Sequence, residues 1–337
     1  MVMNRFVLSV LELLSVFSAF SQESVNRDFQ LGLVTPLGTN GVESYSTTNK
    51  VSVNILGGQS SGNTCFEFGG LYNVNKNYTK GFQFAGLMNY SGCGEHASQF
   101  AGITNIMPKG TSPFQFAGIA NVADEADGLQ FAGIANVADK VDGLQFAGIV
   151  NVAREVNGVQ FGLINVAEEC DGVSVGLINV VKKDGKHEFE LSFSESLNTA
   201  VSFKLGTDKF YTIFSGAVNY IYNPVEYAAG IGFGTHINWK NDWSNQIEII
   251  GYGVTDGGCF DYDGVNMLAQ LKLPISKQIS KHFKVFAGPV FNVSISDCAD
   301  NDLVHGAANL SPWKMWNFSS GKTKVNGWIG LVAGVRF

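Results

Sequence analysis

Two hydrophobic patterns divide the chain. Between residues 66 and 180 a short apolar phrase recurs, and from 188 onward longer segments alternate apolar and polar residues. Aligning the phrase on its asparagine gives eight copies: FEFGGLYNV, FQFAGLMNY, SQFAGITNI, FQFAGIANV, LQFAGIANV, LQFAGIVNV, VQFGLINV and VSVGLINV. The asparagines are Asn73, Asn89, Asn105, Asn121, Asn136, Asn151, Asn165 and Asn179, at steps of 16, 16, 16, 15, 15, 14 and 14. A period this short has no room for a helix pair or a propeller blade. Each copy therefore predicts one strand with its turn, or one coil of a narrow solenoid.

The linkers DEADG, DKVDG, REVNG and EECDG each end in Asp or Asn followed by Gly, the chemistry of a hairpin connection, which predicts antiparallel neighbours. Gln130 and Asn136 are six positions apart and would share a strand face, whereas Gln160 and Asn165 are five apart and would not. The middle of the copy must absorb a residue, through a bulge or a solenoid corner at pairs such as Ala132-Gly133. The eight asparagines are expected to be structural, satisfying nearby backbone or stacking on the next copy.

In the second half, Met267, Ala269, Leu271, Leu273 and Ile275 share one face, as do Phe283, Val285, Ala287, Pro289, Phe291, Val293 and Ile295. Strict alternation of this kind predicts strands with one apolar face. The chain closes on GWIGLVAGVRF, with Ile329, Leu331, Ala333, Val335 and Phe337 at alternate positions.

That ending, with Phe337 last, resembles the C-terminal signature of Gram-negative outer-membrane β-barrel proteins. The G-x-Q-F-A-G-I-x-N-V repeat is similar to surface-repeat proteins of such bacteria, a group with little assigned function. The resemblance implies an outer-membrane location, with membrane lipid and the barrel-assembly machinery as partners, and it brings no catalytic residues. Loop lengths agree with it: long connections at 256–263 and 297–326 on one side and short ones at 239–242 and 277–281 on the other follow the membrane-barrel pattern. Cys259 and Cys298 then lie on the same side, a possible disulfide in an exported protein.

Export is expected from the start of the chain. Arg5, an apolar run from Phe6 to Phe20 and the A-x-S site at Ala19-Phe20-Ser21 read as a signal peptide over 1–21. N-terminal strands follow over 22–65, the repeats over 66–187 and barrel strands over 188–337. The fold expected is all-β: one antiparallel outer-membrane barrel of about 16–18 strands that includes the repeats. The alternative is a parallel β-solenoid followed by an eight-stranded barrel, favoured by the lack of charge inside the repeat.

The remaining chemistry is sparse. A net charge of −7 gives nucleic acid no footprint. Cys93-Gly-Glu-His96 has metal-ligand spacing but reads as a polar turn, and the acids at Asp256, Asp261, Asp263, Asp297, Asp300 and Asp302 read as solvated loops. His236 reads as a hydrogen-bonded lumen histidine, since a wall enzyme would need a matched acid or hydroxyl. Trp313 and Trp316 suit a membrane interface. No catalytic, metal or cofactor residues are expected. The functional expectation is a non-enzymatic barrel acting as a pore or transport protein; the alternative is a surface adhesin or structural repeat protein with a closed interior.

Overall fold

The structure is a computed structural model that describes residues 25–221, 225–255, 265–297, 307, 310–311, 313–321 and 323–337. The expected signal peptide, Cys259, Cys298 and most of the acidic loop residues lie outside the described residues. The chain divides into two compact units, Met1–Asp171 and Gly172–Phe337.

The first unit is a parallel β-solenoid. Val25–Val34 pairs in parallel with Thr47–Gly69, which pairs in parallel with Tyr72–Ala85. From there each copy stacks on the next at the repeat spacing, so that Asn121 faces Asn136, Asn136 faces Asn151, and Gln130 faces Gln145. Six of the eight copies carry a Gln-bearing strand such as Leu144–Ala147 beside an Asn-bearing strand such as Ala135–Val141, with Glu67 and Ser174 in the glutamine position of the first and last copies. Small apolar residues, among them Ala126, Val141 and Val156, fill the narrow interior between them.

The expectation of antiparallel hairpins is thus overturned. The Asp-Gly and Asn-Gly pairs turn coil corners, as at Asp142-Gly143 and Asn157-Gly158, without reversing the strand. Parallel stacking wins because only it brings each buried amide opposite an identical amide, and a buried polar group without a partner costs about 1–3 kcal/mol. The other flexible point is also a corner: the chain bends at Gly133-Ile134, letting Gln130 and Asn136 both face inward. Gly118 sits at such a corner, where an added Cβ would collide with the carbonyl oxygen of Gly102 in the preceding coil.

The second unit is a closed antiparallel sheet. Its staves are Lys186–Ser194, Thr199–Gly206, Tyr211–Asn219, Glu226–Asn238, Trp243–Thr255, Asn266–Lys272 continued by Ile275–Ser280, Phe283–Asp297 and Thr323–Arg336. Pro274, which has no N–H to give a ladder, lies in the break of the sixth stave. The last stave pairs with the first, with Glu190 opposite Arg336, and Phe337 exchanges backbone hydrogen bonds with Phe189. A single barrel of about 16–18 strands is therefore corrected to eight staves among the described residues, because the repeats coil separately and do not enter the wall. The short connections 207–210, 239–242 and 281–282 gather at one end of this barrel, and 195–198 lies at the other.

Candidate functional site

Two amide ladders run through the solenoid. Gln83, Gln99, Gln115, Gln130, Gln145 and Gln160 are fully buried, and each donates its Nε2 proton to the side-chain oxygen of the preceding coil at 2.7–2.9 Å. The asparagines donate the opposite way: each from Asn73 to Asn151 gives its Nδ2 to the Oδ1 of the following coil at 2.9–3.0 Å. The same Nδ2 groups also serve the carbonyl of a phenylalanine at the next corner, as Asn121 does for Phe131 at 2.7 Å. Asn165 accepts from Asn151, and Asn179, in the second unit, donates to Gly176 and Thr212. These residues hold the fold.

The first rung of the glutamine ladder is a glutamate. Glu67 stands opposite Gln83, and its Oε2 accepts from Gln83 Nε2 at 2.8 Å and Asn75 Nδ2 at 2.7 Å. Its Oε1 is buried without a hydrogen-bond partner. Burial pushes the Glu67 carboxyl up to about 7, against the downward pull of the bonds from Gln83 and Asn75.

The barrel interior is packed with mutually compensating charge. Lys204 Nζ bridges Glu190 and Glu248, and Arg336 Nε reaches Glu190 at 2.7 Å while its Nη1 donates to Ser276 at 2.8 Å. Tyr211 donates its hydroxyl to Glu248 at 2.8 Å, and Tyr252 donates to Ser215 at 3.0 Å. Above this network Leu197, Ile250, Leu268, Leu310 and Trp328 form an apolar cluster. An eight-stranded barrel is just wide enough for side chains to fill. The outward positions are apolar and exposed, including Phe193, Phe203, Ile231, Phe233, Ile249 and Leu331.

At the short-turn end, His236 does meet an acid. Its Nδ1 lies 2.8 Å from Asp208 Oδ1 and 3.2 Å from Lys186 Nζ, and Asn238 donates to the other Asp208 oxygen at 3.2 Å. The hydrogen bond from His236, aided by the Lys186 charge, holds the Asp208 carboxyl well below the usual carboxylate range despite its partial burial. Such a pair resembles two members of a nucleophile-activating set, but the His236 Nε2 is buried with no hydrogen-bond partner, so no described hydroxyl or thiol completes it.

Cys93 and His96 do not converge on a third ligand; His96 lies 3.7 Å from Asp127, and no group of three metal-ligating residues occurs among those described. Trp313 and Trp316 are each half exposed. Sequence reading missed the Glu190–Lys204–Glu248–Arg336 network, although the signal was present: in KHEFELSFS the charged residues Lys186, Glu188 and Glu190 alternate with outward His187, Phe189 and Leu191. It also missed Glu67, the one copy in which an acid replaces the repeat glutamine.

Comparison with family models, with characterised proteins and with solved structures returns no match for this chain.

Proposed function

We propose that this is an exported, non-enzymatic structural repeat protein of a Gram-negative outer membrane: a closed β-barrel moored in lipid, whose other unit is a rigid β-solenoid available as an adhesive or scaffolding surface. The observation that carries the reading is the inverted barrel. Charged residues face one another inside it, and a belt of Phe, Ile and Leu faces out, an arrangement suited to hydrocarbon and costly in water. The resemblance of the GWIGLVAGVRF stave to outer-membrane barrel strands and the exposed Trp313 and Trp316 support the same reading, with membrane lipid and the barrel-assembly machinery as partners.

The closed interior favours anchoring over conduction. A pore needs a continuous polar lumen, and here the network around Lys204 and the cluster around Trp328 occupy it. The test is a planar-bilayer recording on the folded full chain, with heat-modifiable gel mobility as the folding control. Folded protein that inserts and gives no steady conductance is expected. Reproducible single-channel steps would overturn the closed reading, and protein without heat-modifiable mobility or bilayer insertion would overturn the membrane reading.

A further inference from the structure

Of the lysines in the described barrel staves, Lys186, Lys204, Lys272, Lys284 and Lys324 alternate into the interior, and Lys277 alone stands on the outer wall. The register fixes its neighbours. Trp243 lies directly opposite it on one side and Val285 on the other. Trp239 donates its backbone N–H to Trp243 O at 2.8 Å across a tight turn, in which Asn241 and Asp242 take positive φ of 61° and 64°. Trp239, Trp243, Lys277 and Val285 thus form one outward row across four staves. The next outward row holds Ile237, Asn245, Ile275 and Ala287, and Ile247 and Ile249 follow on the same wall. The lysine therefore stands where the apolar wall meets the short turns.

Lys277 Nζ lies 5.3 Å from the centroid of the Trp243 ring. The ring steadies the ammonium and takes none of its three N–H donors in a conventional hydrogen bond. Lys240 and Lys281 sit in adjoining turns, which are tied together by the bond from Gln278 N to Asp242 O at 2.9 Å. None of these three lysines makes a side-chain hydrogen bond or ion pair among the described residues. Asp242 is the one acid of the turns 239–242 and 281–282, so cations outnumber anions here by three to one.

An occupant has to match both halves of this place: hydrocarbon against Ile275 and Val285, and a net negative group at the level of the lysines and tryptophans. An acidic segment of a soluble protein would satisfy the lysines and leave the isoleucines in water. A zwitterionic headgroup would set a cation of its own beside them. We propose that Lys277, held by Trp243 and joined by Lys240 and Lys281, binds the headgroup phosphate of an anionic phospholipid whose acyl chain lies along the wall at Ile275. The proposal rests on the membrane reading of the barrel and adds to it a lipid class and a place.

The experiment is native mass spectrometry of the full chain folded in detergent, with heat-modifiable gel mobility as the folding control, titrated with dioleoyl phosphatidylglycerol or dioleoyl phosphatidylcholine. Three lysines less one aspartate, at about fivefold each, give an expected preference of about 25-fold for the first phosphatidylglycerol. Lys277→Gln should lower it about fivefold, and Lys277→Gln combined with Lys240→Gln and Lys281→Gln should abolish it. Lys324→Gln, inside the barrel at its other end, should leave it unchanged. Folded protein that holds the two lipids equally, or a preference that survives the triple variant, overturns the proposal and leaves the membrane reading standing. Displacement of phosphatidylglycerol by millimolar inorganic phosphate would mark a site for free anions and overturn the lipid assignment. Protein without heat-modifiable mobility overturns the membrane reading and the proposal with it.

Discussion

Replacing Glu67 by glutamine isolates the one ionisable rung of the inner ladder. In the folded chain the carboxyl titrates near 7, against 4.5 when unfolded. The folded state therefore binds more protons than the unfolded state between those values, and stability falls as pH rises through the window. At about 1.4 kcal/mol per pH unit the full loss is roughly 3 kcal/mol, nearly complete by about pH 7.5. Glu67→Gln keeps an oxygen where Gln83 and Asn75 donate, and adds a neutral NH2 where Oε1 now lacks a partner. That orphan donor costs something at every pH, but the cost does not titrate. The assay is hydrogen–deuterium exchange of peptides covering residues 66–84 in the full chain, wild type against variant at equal pH, so that intrinsic exchange chemistry cancels. Between pH 4.5 and 7.5 the wild-type opening equilibrium should rise about 100-fold relative to the variant. A ratio that stays constant across that range refutes the reasoning.

Two other substitutions probe each unit separately. Lys204→Met leaves Arg336 as the one cation shared by the buried Glu190 and Glu248 and should cost about 3 kcal/mol, read as a lower temperature for the heat-modifiable gel shift. Gly118→Val drives a side chain into the Gly102 carbonyl and should cost about 2 kcal/mol or more, read as lost exchange protection in the adjoining coils while the barrel's gel mobility is unchanged.

Much of the architecture was legible, and the gaps have physical causes. Alternation at Phe283–Ile295 and Ile329–Phe337 marked barrel staves because a two-residue period survives any tertiary context. The direction of pairing in the repeats was not legible, because an Asp-Gly pair serves a hairpin turn and a coil corner equally well. The better clue was the pair Gln130 and Asn136: two polar groups in an almost uncharged phrase had to be buried together, and that demand is met by stacking like on like. The meeting of Asp208 with His236 could not be read at all. It depends on the register between Tyr211–Asn219 and Glu226–Asn238, which places a turn residue beside a strand residue 28 positions away.

The opposed senses of the two amide ladders set the electrical character of the solenoid. A column of aligned side-chain amides accumulates a dipole as peptide groups do in a helix, with partial positive charge at the end toward which its N–H bonds point. Between Glu67 and Asn165, six glutamine bonds point toward the first coils and six asparagine bonds point away from them. The two columns cancel rung by rung. Adding or deleting one whole copy changes the length by about 4.8 Å and leaves the axial dipole near zero. Copy number is thereby freed from an electrostatic limit, and the length of the rod becomes a quantity that sequence duplication can set.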